Sequence, residues 1–266
     1  MSDTNAKAAP ALACESVTMR FGGLTAVSGF NLRVPKGALY GLIGPNGAGK
    51  TTVFNIVSGV LRPSAGAVKL FGTDITGLTA DRVAHSGVAR TFQNIRLFRN
   101  LTVLDNVLVG LHLRRKANLA EALLALPRHR AEEAQMAATA TQLLKEIGLE
   151  DVSHYRASAL PYGQQRRLEI ARALATKPAV LLLDEPAAGM NPAETEDLMR
   201  LITDIRDRFS LTILLIEHEM KVVMGICERM TVLDHGETIA EGTPEEIQRN
   251  ERVIKAYLGG GAVARH

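Results

Sequence analysis

Residues Gly44-Pro45-Asn46-Gly47-Ala48-Gly49-Lys50-Thr51-Thr52 carry the types and spacing of a phosphate-binding loop, G-x-x-x-x-G-K-[ST]. They follow the apolar run Leu39-Tyr40-Gly41-Leu42-Ile43 and precede a helical pattern, the strand-to-helix setting such a loop requires. Small residues let successive backbone N–H groups curl around a triphosphate, where a Cβ would block the approach. A helix beginning near Lys50 adds unsatisfied N–H groups and the positive end of its dipole. Lys50 would reach the β- and γ-phosphates, and the Thr51 hydroxyl would take a Mg²⁺ position. A bare glycine turn is the alternative, but such a turn has no use for Lys-Thr directly after its last glycine. The expectation is a nucleoside triphosphate site.

Three further groups could serve that site. Val180-Leu181-Leu182-Leu183-Asp184-Glu185 reads as an apolar strand ending in two carboxylates. Asp184 is suited to hold Mg²⁺ through a coordinated water, and Glu185 to orient or deprotonate an attacking water. Paired acids also occur at strand ends as solvated turn residues; the phosphate loop on the same chain favours the functional reading. His218 follows the apolar run Thr212 to Ile216, and a neutral imidazole there can contact a γ-phosphate and orient the water and Glu185. Gln93, in Arg90-Thr91-Phe92-Gln93-Asn94, is either a loop hydrogen-bonder or a sensor of Mg²⁺ and water. The other histidines read as ordinary surface or core residues.

The elements that must position these groups alternate. Residues 12–43 mix short apolar runs with Gly22-Gly23 and Pro35-Lys36-Gly37, which predicts antiparallel strands and turns. A strand is expected over Ala67 to Phe71. From Thr102 to Gly148 helix formers dominate, with Thr102 and Asp105 as a capping box, which predicts an inserted helical subdomain. Strand patterns return at Ala179 to Leu183, Thr212 to Ile216, Met230 to Leu233 and Thr238 to Ala240, with a helix over Ala193 to Phe209. Such alternation predicts an α/β fold with a largely parallel sheet. Thr243-Pro244-Glu245-Glu246 is a helix start. Leu160-Pro161-Tyr162-Gly163-Gln164 opens a helix whose Leu168, Ala171 and Leu174 share a face, and Gly163 permits close approach of another molecule's anion.

Composition bounds the reading. A chain of 266 residues with 46% apolar residues can bury a substantial core, and a net charge of +3 is too small to imply a nucleic-acid partner. Cys14 and Cys227 have no metal-type spacing, so neither a zinc site nor a disulfide framework is expected, and a reduced cytosolic setting fits. No segment is long and apolar enough to span a membrane, Met1 to Ala11 reads as a frayed tail without a signal-peptide core, and a mobile tail is expected from Gly259. A membrane role would be peripheral.

These motifs, in this order, resemble the ATP-binding cassette (ABC) ATPases over residues 12–258. The resemblance implies a P-loop NTPase core with an antiparallel β subdomain (12–92 and 178–245), an inserted helical subdomain with the signature segment (93–177), and a C-terminal helix and tail (246–266). It implies a dimer sandwiching two ATP molecules with Mg²⁺, each between one phosphate loop and the other subunit's signature, here Tyr162, Gly163 and Gln164. Phe21 would stack on adenine or serve as an apolar anchor. Two departures stand out. Pro161 replaces the family's signature serine, and Asn191 replaces the Asp of a dimer-contact loop. Arg90 to Phe98, Leu160 to Arg172 and Pro186-Ala187-Ala188-Gly189-Met190-Asn191-Pro192 resemble the longer ATPase of bacterial branched-chain amino acid importers. Its implied partners are integral membrane permease subunits, a second ATPase subunit (as hetero- or homodimer) and, indirectly, a periplasmic binding protein, at the cytoplasmic face of the inner membrane. Importers of urea or amides, a soluble ABC ATPase acting on nucleic acid or ribosomes, and a non-hydrolysing sensor stay open. The basic run Arg114 to Arg130 reads as a solvated face or a contact to permease or lipid.

Overall fold

The computed structural model describes residues 9–113, 127–218 and 220–262; the charge run at 114–130, apart from its last helical backbone, lies outside the described residues. The chain divides into two compact units, one formed by residues 1–90, 179–185 and 202–266 and the other by 91–178 and 186–201.

In the first unit, β1 (Leu12–Phe21) and β2 (Leu24–Val34) form an antiparallel hairpin across Gly22-Gly23. With β4 (Ala65–Leu70) and the two-residue β5 (Thr73–Asp74) they make a four-stranded sheet ordered β2-β1-β4-β5. The second sheet contains β3 (Leu39–Ile43), β6 (Val88–Arg90), β7 (Val180–Asp184), β8 (Thr212–Ile216), β9 (Arg229–Asp234) and β10 (Glu237–Gly242). Its order is β10-β9-β3-β8-β7-β6, parallel except for the antiparallel edge pair β10–β9. Every residue of β3, β7 and β8 is buried, as strands covered on both faces must be. The helix α1 (Lys50–Val57) leaves the phosphate loop, and its Val53, Phe54 and Val57 join one core with residues of both sheets, including Phe30, Leu42, Leu182 and Leu214. A short α2 (Ala80–Ser86) precedes β6.

The second unit is helical. Its α3 (Val103–His112) begins at the expected capping box, where Asp105 N–H donates to Thr102 Oγ1 at 3.0 Å. The helix α4 spans Pro127–Glu146, two 3₁₀ turns follow, and α5 runs Tyr162–Ala175. Leu168, Ala171 and Leu174 are all buried in it. Pro161 is its N-cap residue, one step before the first helical position that proline usually fills.

The remaining helices are α6 (Pro192–Arg208), α7 (Met220–Ile226), α8 (Pro244–Gln248) and α9 (Glu251–Ala262). Thr243 caps α8 in a reciprocal box with Glu246, and Pro244 stands at its start. The tail expected from Gly259 is helical as far as Ala262, because low glycine propensity is a weak prior at the end of an already nucleated helix. Residues 263–266 and 1–8 lie outside the described part. Among the described residues no helix is long and apolar enough to cross a membrane.

Candidate functional site: a phosphate loop at the strand ends

Three neighbouring parallel strands, in the order β3-β8-β7, end at the same edge of the sheet. Their carboxyl ends lead into Gly44 after β3, Glu217 and His218 after β8, and Glu185 after Asp184 of β7. Crevices at such carboxyl ends are where open α/β sheets bind ligands.

The phosphate loop has the local form its residues dictate. Gly47 and Gly49 hold φ of 81° and 104°, a left-handed region that side chains other than glycine seldom adopt. A Cβ at Gly49 would lie 2.7 Å from the Ala26 carbonyl, whereas one at Gly47 would meet nothing within 4 Å. The loop thus turns tightly on its inner side and leaves its outer side open to a ligand. Gly49 caps α1 without any side-chain hydrogen bond, so the start of that helix offers its N–H groups to an anion. Lys50 is buried and donates from Nζ to the carbonyls of Gly44 (2.7 Å) and Pro45 (2.9 Å). Burial lowers its pKa, opposed by the charges of Glu185 and Asp184, which places both carboxylates within electrostatic reach of the ammonium. Thr51 is exposed and Thr52 half-buried.

Asp184 is buried at the end of β7 and pairs with Arg90, whose Nη2 lies 2.8 Å from Oδ2. Arg90 also donates to Asn55 Oδ1 (2.7 Å) on α1 and to Ser58 Oγ (3.0 Å) at its C-cap, and lies over the Phe54 ring. One guanidinium therefore ties the carboxylate strand to the helix that leaves the phosphate loop. Glu185 donates its N–H to the Ile216 carbonyl at 2.9 Å, continuing the β7–β8 pairing, but its φ is 46°. That conformation is costly for a residue with a side chain, and such outliers concentrate at functional sites. His218, half-exposed, brings Nδ1 to 3.8 Å from Glu185 Oε2, too long for a hydrogen bond. Phe21 ends β1 with its ring 45% exposed, free to take a planar partner.

Hard oxygen donors at Thr51 and Asp184 suit Mg²⁺, which typically takes one or two protein oxygens and fills its octahedron with phosphates and water. Among the described residues no group of three or more His, Cys, Asp or Glu gathers as a metal cage.

Gln93, Tyr162, Gly163 and Gln164 belong to the second unit. Gln93 is exposed in an irregular segment after β6. At Gly163 an added Cβ would meet only Glu194 Oε1 at 3.6 Å, an ordinary contact. Among the described residues no close contact demands glycine there. Tyr162 is held by Arg166, which donates to its hydroxyl at 3.3 Å. Asn191 exchanges hydrogen bonds of 3.0 Å with Glu194: Glu194 N–H to Asn191 Oδ1 and Asn191 N–H to Glu194 Oε2. It is the N-cap of α6, a post where Asn and Asp serve equally. Two site features were missed from sequence. Arg90 shows only as one basic residue in a string, and the buried pair Arg166–Glu169 has no pattern that marks it.

The parallel sheet, the phosphate loop after β3 and the two carboxylates at the end of β7 define a P-loop ATPase of the ATP-binding cassette type. The ABC transporter family matches residues 27–188, more than half of the chain, and the branched-chain amino acid ATP-binding cassette transporter family matches residues 237–263. The chain belongs to the ABC transporter family. It is 48% identical over 250 residues to the high-affinity branched-chain amino acid transport ATP-binding protein BraF of Pseudomonas aeruginosa. Its identity to LivG of Escherichia coli, which carries the same description, is also 48%; each alignment covers 94% of this chain and 98% of the relative. Among solved structures, the ADP conformation of MJ1267, an ATP-binding cassette of an ABC transporter, matches with a TM-score of 0.82 at 30% identity, covering 93% of this chain and 98% of that one.

Proposed function

We propose that the chain is the ATP-hydrolysing subunit of a bacterial importer of branched-chain or related amino acids. The observation that carries the ATPase reading is the convergence of Lys50, Asp184, Glu185 and His218 at the ends of three adjacent strands. The amino-acid reading rests on the 48% identity to BraF and LivG over nearly the whole of both chains.

In this reading the loop N–H groups and the α1 dipole hold the α- and β-phosphates, and Lys50 exchanges its carbonyl partners for β- and γ-oxygens. Thr51 and Asp184 would hold Mg²⁺, which would supply charge neutralisation at the phosphates. Glu185 accepts a proton from the attacking water, or orients it, while His218 and Gln93 fix its direction toward the γ-phosphorus. Phe21 stacks on adenine. Tyr162, Gly163 and Gln164 face the nucleotide of a second ATPase subunit, so that ATP favours the closed dimer by binding it more tightly than the open one. Permease subunits and a periplasmic binding protein complete the assembly at the inner membrane's cytoplasmic face.

The test is ATP hydrolysis by the complex reconstituted in vesicles, screened with binding protein and branched-chain amino acids, other amino acids, amides and urea. Stimulation by leucine, isoleucine or valine is expected. Stimulation by urea or amides alone would overturn the amino-acid assignment and leave the ATPase reading standing.

A further inference from the structure

The second unit contains a buried ion pair that joins two segments far apart in sequence. Arg166, on the first turns of α5, is fully buried, and Glu169 is almost so. Arg166 Nη1 donates to the Phe92 carbonyl at 2.7 Å and to Glu169 Oε2 at 2.8 Å, and Nη2 donates to the Gln93 carbonyl at 2.8 Å. Glu169 Oε1 accepts from the N–H groups of Arg96 (3.2 Å) and Phe92 (3.4 Å). Together the two side chains engage the backbone on both sides of Gln93. Further along, fully buried Asn106 accepts from the Phe98 N–H at 2.9 Å and donates to the Phe98 carbonyl at 3.1 Å.

Stability alone is a poor reason for such a pair. Removing two charges from water is costly, and apolar residues of similar volume commonly stabilise as well or better. A planar guanidinium reaching two successive carbonyls and a carboxylate provides geometry that an apolar pair cannot. We propose that Arg166 and Glu169 are positioning residues, fixing the backbone of Gln93 to the N-terminal turns of α5. Gln93 and the Tyr162-Gly163-Gln164 segment then move as one piece, so a shift at one subunit's Gln93 is carried to the surface that meets the second nucleotide. The inference rests on the reading of Gln93 as a group that acts on the water and Mg²⁺.

The experiment is a double-mutant cycle on the purified full chain: Gln93→Ala, Glu169→Gln, Arg166→Met, Arg166→Lys, and Gln93→Ala with Glu169→Gln. Steady-state ATPase rates are read against ATP and Mg²⁺ concentration, with thermal melting and binding of a fluorescent ATP analogue measured alongside. Glu169→Gln should lower kcat by roughly tenfold or more, since small misplacement of a catalytic group is that costly. Its KM for ATP should stay within about twofold, because uniform binding is untouched. Arg166→Lys should recover part of what Arg166→Met loses. The combined variant should be no slower than Gln93→Ala alone, because the pair acts through Gln93. Multiplying defects, or wild-type kcat in Glu169→Gln, would overturn the inference while the Gln93 reading survives. Wild-type turnover in Gln93→Ala would remove that reading and the inference with it. If Arg166→Met does not fold, the nearly isosteric Glu169→Gln carries the cycle.

Discussion

Glu185 keeps a left-handed φ of 46° while its N–H stays bonded to Ile216, a costly backbone conformation of the kind that concentrates at functional sites. Glu185→Gln keeps the shape and removes the base. Turnover should fall about 10²- to 10⁴-fold with ATP still bound, and near-normal turnover in a phosphate-release assay would take Glu185 out of the chemistry. Lys50→Ala removes the only ammonium in the loop and should weaken ATP binding in equilibrium titration; unchanged affinity would undo the loop's assignment. Arg90 makes a different kind of prediction. Arg90→Met removes one partner of the buried Arg90–Asp184 pair, a change that typically costs about 3–5 kcal/mol. Thermal melts should show that loss without ligand and a smaller one with Mg²⁺ and ATP, which return positive charge to the carboxylate's surroundings. The residues legible in the sequence were those set by local spacing, as in Gly44 to Thr52 or Asp184-Glu185. Arg90 and Asp184 are 94 positions apart, and nothing in either neighbourhood announces the other.

Elements with two local signals were legible to within a residue or two. The strand Thr212–Ile216 and both capping boxes fall where apolar runs and Thr-x-x-Asp/Glu place them. The three-residue β6 and the seven-residue α2 were missed, because each is too short to show a period and exists through its neighbours. The helix α5 starts at Tyr162, directly after Pro161 at its N-cap and two residues before the periodic pattern that opens at Gln164. Asn191 caps α6 as well as Asp would, so Asn191→Asp should leave the melting temperature nearly unchanged. Asn191→Ala should cost about 1 kcal/mol in denaturant unfolding, and equal stability of the two would show the cap to be idle. Pro161 supplies no hydroxyl but does occupy the cap position, and Pro161→Ser should preserve ATPase activity. Complete loss of activity would make the proline a requirement.

Across the whole molecule, the two cysteines lie buried in the first unit, Cys14 at its antiparallel sheet and Cys227 before β9. Burial pushes the Cys14 thiol up to about 12 and raises Cys227 as well, so neither forms thiolate near neutral pH. The native chain should be silent to a thiol-reactive dye up to pH 9 and release two equivalents in denaturant; prompt native labelling would show that the unit opens. The order of the second sheet also governs how the protein can be made. Strand β3, which ends in the phosphate loop, is flanked by β8 and β9, whose paired residues are synthesised about 170 and about 190 positions later. During translation the fully apolar Leu39–Ile43 therefore leaves the ribosome with no strand on either side and must be sheltered until the chain is nearly complete. A nascent chain halted before Thr212 should expose that segment to chaperones and show no ATP affinity, so that a loop made early becomes functional only once strands made late have joined it.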